Sequence, residues 1–452
     1  MLYLNTMAKT STLFVCNECG YESSKWYGKC PECNAWNTFT QVPQADIKAT
    51  KSRSRTVSAP QNIGKIISVA ENRTSTGYAE FDRVLGGRDT NVGMVPGAVM
   101  LLSGDPGVGK STIMLQLALN LAKNGKTVVY ITGEESESQV KMRAERISSA
   151  KSLESLPLFI LATIDIDAAL ESASQVKPDL VIIDSVQTMV SDELTGFAGS
   201  IPQIRYATSR LVAYAKSNNV PVYLIGHVTK DGMVAGPMTL SHMVDTVLYL
   251  EGEALTGTRI LRTFKNRFGD TSEVGIFIME ESGLIELSDA SSFFVDKKDG
   301  SVPGSCVTVI MEGSRPLLVE IQALVVPSNL AYPRRVANGI AEKRLELLLA
   351  VLQKHAKVPT EKMDVFVNVV GGLKVQEPAV DLAVCLSIAS SFRGKALNST
   401  VAIAEVGLLG ELKHVVNLEK RIKEATKFGF KKVLSAQQGK FLESVIKANI
   451  YG

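Results

Sequence analysis

No apolar run in this chain approaches the ~20 residues a helix needs to cross a bilayer, and the N-terminus lacks an apolar secretory segment with a cleavage site. A cytoplasmic protein without a membrane partner is expected. Strong charge is also missing: 49 Lys and Arg against 46 Asp and Glu leave a net +3. That bias is too small to imply nucleic acid, so any basic binding face must come from local clustering. Cysteine is scarce, six in the chain, yet four of the six crowd into residues 16–33. What is present is ordinary for a soluble globular protein, 45% hydrophobic and 21% charged. A length of 452 residues exceeds what one core supports and suggests about three domains. Met7 offers an alternative start to Met1.

The chain is organised around Gly104-Asp105-Pro106-Gly107-Val108-Gly109-Lys110-Ser111-Thr112, which fits G-x-x-x-x-G-K-[ST]. Ala98–Ser103 before it is short and apolar, as a buried strand is, and Ile113–Lys123 after it has helical spacing up to a stop at Asn124-Gly125. Strand, motif and helix in this register predict a nucleotide-binding P-loop. The glycines let backbone N–H groups turn onto phosphates, the helix N-terminus adds its positive end, Lys110 neutralises the β and γ phosphates, and Ser111 ligates Mg2+.

Cys16-x2-Cys19 and Cys30-x2-Cys33 are two knuckles able to surround one Zn2+ with four thiolates, leaving no open position for catalysis. Gly20 and Gly28 relieve the turns. Two disulfides are the competing reading, disfavoured by a reducing cytoplasm. Trp26, Tyr27 and Trp36 are expected to cover this small module, with a stacking surface for single-stranded nucleic acid as the alternative. From Gln41 to Pro60 the composition turns polar, with Lys48, Lys51, Arg53 and Arg55, as a solvated tether does.

The lead-in Thr76-Gly77-Tyr78-Ala79-Glu80-Phe81-Asp82-Arg83-Val84-Leu85-Gly86-Gly87 immediately before a P-loop resembles that of RecA-like ATPases. Together with the four-cysteine module it resembles the bacterial RadA (Sms) DNA-repair proteins over nearly the whole chain. Arg88 stands where that family usually continues with a third glycine, so residues 88–92 form a local departure. The resemblance implies an α/β protein with a RecA-like core, an N-terminal zinc finger and a C-terminal α+β domain similar to that of Lon proteases. It also implies a DNA-dependent ATPase in recombinational repair: a hexameric ring or helicase promoting branch migration, with single-stranded and branched DNA and the RecA recombinase as partners. Expected bounds are 1–40 for the zinc finger, 41–60 for the linker, 61–288 for the ATPase and 289–452 for the Lon-like domain.

Within that frame the strand-like run Thr127–Ile131 ends in Thr132-Gly133-Glu134-Glu135-Ser136, where RecA-like folds place a water-activating carboxylate. Glu134 is favoured for that role and Glu135 is second; both acids would also suit the start of a helix. Asp179–Ser185 is an apolar strand ending in Asp184, a Walker B pattern that would hold Mg2+. Pro221–Lys230 is a further strand whose end carries His227 and Lys230, followed by the glycine-rich segment 231–237. His227 is a candidate γ-phosphate sensor. Thr258–Phe264 alternates like a strand and leads into a turn, Lys265-Asn266-Arg267-Phe268-Gly269. This is the signature segment of the RadA family, and the resemblance implies that Lys265 and Arg267 reach a neighbouring subunit's nucleotide or DNA.

After Asp289 the pattern changes, Pro303-Gly304 and Pro316 separate strands, and Gly339–Leu345 opens an amphipathic helix. Asp364–Leu373, Glu377–Ala383 and Ala404–Glu411 resemble the Lon protease domain. Lon enzymes pair a serine nucleophile with a lysine, and matching the segments puts Ala379 and Glu419 at those positions, so neither half of the dyad is present. An active ATP-dependent protease and a nucleotide-switched DNA scaffold are the two rival readings. Cys306 and Cys385 have no sequence neighbour to pair with.

Overall fold

The structure is a computed structural model. It describes residues 12–16, 21–32, 34–43, 62–65, 72–148, 153–194, 196–227, 240–252, 257–287, 289, 291, 295 and 302–451. Met7, Cys19, Gly20, Cys33, Lys48, Lys51, Arg53, Arg55, Lys230 and segment 231–237 lie outside these. The chain separates into two compact units, one of residues 1–251, 260–271 and 279–285 and one of residues 252–259, 272–278 and 286–452.

At the N-terminus β1 (Thr12–Cys16) pairs antiparallel with both β2 (Glu22–Ser23) and β3 (Phe39–Pro43). Cys16, Cys30 and Phe39 close a small core with Phe14 and Tyr21 against it. The aromatics expected as cover do not all join it. Trp26 and Trp36 are 53% and 70% exposed, and only Tyr27 leans on Phe39, at 5.9 Å between ring centroids. The cysteines, Phe39, Phe14 and Tyr21 fill the interior, leaving the indoles outside.

Helix α1 (Ala79–Leu85) carries Phe81, Val84 and Leu85 into the core of the first unit. Asp82 fixes its lead-in by accepting from the Thr76 backbone N–H and hydroxyl, both at 2.8 Å. The local departure after it is a minimal hairpin, β4 (Gly87–Arg88) against β5 (Asn91–Val92), with Asp89 left-handed at φ 54° in its turn. Asp tolerates that conformation better than most residues, which is how the chain turns without a further glycine.

Alternating apolar strands and amphipathic helices then build a parallel sheet: β6 (Val99–Gly104), α2 (Lys110–Lys123), β7 (Val128–Thr132), α3 (Glu137–Ile147), β8 (Leu158–Ala162), α4 (Ile166–Val176), β9 (Leu180–Asp184), α5 (Ile201–Asn218), β10 (Val222–Ile225) and β11 (Thr246–Gly252). The order is β11-β6-β10-β9-β7-β8. Strands β6, β7, β9 and β10 are buried throughout, as helices on both faces require. Ile204, Ala207, Leu211 and Ala215 of α5 fall at helical spacing on one stripe and are fully buried. Strand β12 (Thr258–Asn266) runs two residues beyond the expected end, so Lys265 and Asn266 are strand residues and the turn begins at Arg267. Beyond it lie β13 (Val274–Glu280) and β14 (Gly283–Glu286).

In the second unit a mixed six-stranded sheet is built from β15 (Ser305–Glu312), β16 (Arg315–Pro327), β17 (Arg335–Asn338), β18 (Met363–Val369), β19 (Thr400–Ile403) and β22 (Lys432–Ser435), ordered β17-β18-β16-β15-β19-β22. The short pair β20 (Glu405–Val406) and β21 (Leu412–Lys413) stands apart from it. Helices α6 (Glu342–Ala356), α7 (Asp381–Arg393), α8 (Leu418–Lys427) and α9 (Leu442–Ile446) complete an α+β arrangement. Among the described residues no helix is long and apolar enough to cross a membrane.

Asp245, 5% exposed at the foot of β11, ties three segments of the first unit together. Its Oδ2 accepts from the Val99 N–H at 3.0 Å and from Lys216 Nζ at 2.9 Å, and its Oδ1 lies 3.3 Å from Arg267 Nη1. Burial alone would raise this carboxyl, but the Lys216 and Val99 hydrogen bonds and the Arg267 charge outweigh it and hold it below its ordinary range. A depressed carboxyl contributes stability above its unfolded pKa and loses it as pH falls through the folded one. Lys216 and Arg267 are half exposed, so solvent screens both pairs. Asp245→Asn is expected to cost about 1–3 kcal/mol at neutral pH. Urea midpoints measured across pH should show wild type and variant well apart at pH 7 and converging below pH ~4. Curves that stay parallel into acid would show that the Asp245 charge does not carry the contribution.

Candidate functional site

Strand β6 delivers the chain into the P-loop, and α2 carries it away. Gly104 has φ +152°, and a Cβ there would run into the Leu250 carbonyl oxygen of β11, so only glycine fits. Asp105, Pro106 and Gly107 are exposed, while Val108 turns inward. Gly109, left-handed at φ 110°, is the N-cap of α2. That helix has no side-chain cap and no acid in its first turn, so its N-terminus is free of carboxylate competition for an anion. Ser111 and Thr112 stand half-buried in the first turn.

Lys110 is buried, 3% exposed, and its Nζ donates to the carbonyls of Gly104 at 2.8 Å and Asp105 at 2.9 Å. Desolvation pushes its pKa down, and the charges of Asp184, Asp105 and Glu134 push it back up. Those charges place Lys110, Asp184 and Glu134 in one electrostatic neighbourhood, at the C-terminal edge of the parallel strands where open α/β sheets bind ligands.

Asp184 ends β9, 6% exposed, and its Oδ2 accepts from Tyr130 Oη of β7 at 2.5 Å. The next peptide, Asp184-Ser185, is cis. Ser185 Oγ donates to Glu134 Oε1 at 2.6 Å, and His227 Nε2 lies 3.5 Å from the same oxygen. The two adjacent acids therefore have different surroundings. Glu134 is 45% exposed beside Ser185 and His227, whereas Glu135 is paired with Arg143 of α3. Gln187 Nε2 donates to the His227 carbonyl at 3.3 Å, linking the ends of β9 and β10.

The residues fit a nucleotide with Mg2+. Lys110, the uncapped start of α2 and Ser111 would hold the phosphates and ion, with Asp184 held by Tyr130 as the metal's anchoring acid. Bound there, Mg2+ would supply charge neutralisation to the phosphate oxygens.

The second cluster is the Lys265–Gly269 segment. Lys265 Nζ donates to the carbonyls of Ser241 at 2.6 Å and Val244 at 2.8 Å, and burial with the Arg267 charge lowers its pKa. Asn266 Nδ2 donates to Leu85 O at 3.0 Å, and its Oδ1 accepts from the Phe268 N–H at 3.0 Å. Arg73 reaches Leu85 O and Gly93 O, both at 3.2 Å, and Phe268 O at 2.5 Å. A Cβ on Gly269 would meet Leu85 O at 3.0 Å, which accounts for glycine in this turn. The lead-in to the P-loop and this distant segment are therefore one hydrogen-bonded structure. Sequence reading missed Tyr130, Arg73, Lys216 and Asp245; of these only Tyr130 left a signal, as the one aromatic residue in its strand.

In the ribbon, Cys16 and Cys30 are fully buried in the same small core. The Cys16 N–H donates to Tyr21 O at 2.9 Å, and the Asn34 N–H donates to Cys30 O at 2.9 Å. Two buried cysteines in one small core fit half of a tetrahedral site; Cys19 and Cys33, the other expected ligands, lie outside the described residues.

These features define a P-loop protein of RecA-like α/β fold with an N-terminal zinc ribbon. Residues 89–233 match a family model described as an AAA domain, and residues 14–41 match one described as a rubredoxin metal binding domain. The chain is 46% identical over 434 residues to the DNA repair protein RadA of Halalkalibacterium halodurans, covering 95% of this chain and 93% of that one. It is 45% identical to RadA of Bacillus subtilis over the same shares, and 45% identical to RadA of Listeria monocytogenes over 94% and 92%. The chain belongs to the RadA family of DNA repair proteins.

Purified protein is expected to carry one zinc ion held by Cys16, Cys19, Cys30 and Cys33, and Cys30→Ser to lose it. Metal analysis checks this. Cys306 and Cys385, both buried in the second unit, should be replaceable by Ala without loss of zinc. Zinc retained by Cys30→Ser would remove Cys30 from the ligand set.

Proposed function

We propose that this chain is a DNA-dependent ATPase of DNA repair that works as a ring-forming motor on single-stranded and branched DNA, promoting branch migration alongside the RecA recombinase. The observation that carries the reading is the gathering of buried Lys110 and Asp184 with half-exposed Glu134 at one sheet edge, in a chain of the RadA family. Glu134, free of the Arg143 pairing that occupies Glu135, would orient and deprotonate the attacking water, with Ser185 and His227 fixing its carboxylate. Lys110 would take the charge growing on the phosphate oxygens. We propose the division 1–40, 41–60, 61–288 and 289–452, with a cytoplasmic location and a Lon-like last domain without protease chemistry. Ala379 has no nucleophilic atom and is buried just before α7, and Glu419, on α8, is an exposed acid.

Hydrolysis measured with and without single-stranded DNA tests the enzyme, and strand displacement on forked DNA separates a motor from a switched scaffold. Wild type should be stimulated by DNA and leave casein intact. Lys110→Ala should abolish hydrolysis, and Glu134→Gln should retain ATP but cleave it about 10²–10⁴-fold more slowly. Normal turnover in Glu134→Gln together with loss in Glu135→Gln would reverse the choice between the acids.

Lys265 is proposed to act on a neighbouring subunit's nucleotide, with Arg267, Asn266, Phe268, Gly269 and Lys230 at the DNA or subunit contact. Two carbonyls already hold its ammonium, so little side-chain freedom remains to be lost when a neighbour docks. A cation delivered in trans speeds phosphoryl transfer by about 10³-fold or more. Lys265→Ala should keep ATP affinity and lose DNA-stimulated turnover. Lys110→Ala subunits should partly restore hydrolysis when mixed with Lys265→Ala subunits. No recovery in mixed assemblies would confine Lys265 to local folding or DNA contact.

A further inference from the structure

We propose that the exposed indoles of Trp26 and Trp36 are stacking platforms for the unpaired bases of single-stranded DNA, with Lys25 and Lys29 receiving the phosphates between them. The inference rests on the DNA-dependent activity proposed above and assigns part of that contact to the ribbon.

The chain has two tryptophans, and both lie in the ribbon, with ring surfaces that the fold leaves outside. Large aromatic side chains normally repay their place by burial. Here the interior is already filled by Cys16, Cys30 and Phe39, with Phe14 and Tyr21 against them. The backbone around Trp36 is nevertheless well fixed. Trp36 bridges Lys29 across an antiparallel pair, flanked by hydrogen bonds from the Asn37 N–H to Gly28 O and from the Cys30 N–H to Ala35 O, both at 2.8 Å. Asn34 and Asn37, left-handed at φ 60° and 56°, bracket it. The Trp26 ring lies 3.6 Å from where a Cβ of Gly28 would stand, resting on the bare backbone of that glycine. Aromatic faces carried on a backbone fixed in this way leave less ordering to be done on capturing a ligand.

Charge selects the occupant. Lys29 Nζ stands 5.7 Å from the Trp36 ring centre, and Lys25, next to Trp26, is exposed. Glu32 is the exposed carboxylate on the same turn. Four more cations follow in sequence at Lys48, Lys51, Arg53 and Arg55. Aromatic faces interleaved with ammonium groups match a strand whose bases are unstacked and whose backbone is anionic; in a duplex the base faces are already covered.

The two-tryptophan composition makes the test direct, because intrinsic tryptophan fluorescence of the whole protein reports on this ribbon alone. Full-length, zinc-loaded protein is titrated with oligo(dT), while a labelled strand reports binding independently by anisotropy. Fluorescence should fall as the strand binds and stay constant with a duplex of equal length. Trp36→Ala and Trp26→Ala should each weaken single-strand binding about five- to hundredfold, with basal hydrolysis and zinc content unchanged. Trp36→Phe, which keeps an aromatic face, should retain most of the affinity and guards against a folding defect in the alanine variant. Binding seen by anisotropy with unchanged fluorescence and alanine variants of wild-type affinity would overturn the platform and leave the DNA-dependent activity standing. Absence of any DNA binding by the wild type would overturn both.

Discussion

The buried ammonium of Lys110 is the constraint on which the first unit depends. Taking that charge out of water is costly, and two carbonyls of its own loop, those of Gly104 and Asp105, compensate by direct hydrogen bonds. The loop can present them only because Gly104 and Gly109 adopt conformations closed to other residues. Around the ammonium stand the carboxylates of Asp184, Asp105 and Glu134, an excess of negative charge. A polyphosphate entering beside three acids would be repelled by all but Lys110 and the helix N-terminus. The same site therefore calls for a divalent cation, and Asp184, immobilised by the Tyr130 hydroxyl, is the acid best fixed to receive one.

A second network ties the lead-in and the start of β6 to residues far away in sequence. Arg73 and Asn266 converge on Leu85 O, and Asp245 joins β6, α5 and the Arg267 turn. These bonds make the lead-in and the Lys265–Gly269 segment a single hydrogen-bonded structure. Asp245 touches both Arg267 and Val99, so one carboxylate joins this segment to the first residue of the strand that opens the P-loop.

Much of this was legible in the sequence for physical reasons. A strand, a glycine-rich turn and a helix follow from periodicity and backbone freedom, so residues 104–112 could be placed before any coordinates. The order of the sheet, and hence which acids meet, depends on strand pairs separated by thirty residues or more and leaves little local trace. Glu134 and Glu135 are indistinguishable as letters, and their difference comes from Arg143 on α3 and Ser185 after β9. Lys265 read as a turn residue because charge after an alternating run usually ends a strand; its ammonium instead satisfies two carbonyls, which lets the strand continue. The indoles of the ribbon were misread as cover because apolarity favours burial on average. Where a few cysteines and aromatics already fill so small an interior, that average does not hold.

The second unit shows the same logic applied to a segment with no reactive group at its centre. Ala379 lies between Glu377 and Asp381, and each of these acids is bound to an arginine. Arg421, 2% exposed, makes two bonds to Glu377 at 2.8 and 2.6 Å and a third to Val309 O at 2.6 Å. Arg344 pairs with Asp381, whose Oδ2 also accepts from the Val406 N–H at 3.1 Å. Burial raises the Asp381 carboxyl, and the Arg344 bond opposes that rise, so the pair is held against a desolvation cost. Breaking either pair would strand a buried charge, which makes the 377–381 segment expensive to deform whatever residue occupies position 379. The Ala379 carbonyl in turn accepts from the Ala404 N–H at 3.1 Å, locking this segment to the end of β19. A segment pinned on both sides in this way keeps its backbone through contacts that do not involve the side chain at position 379.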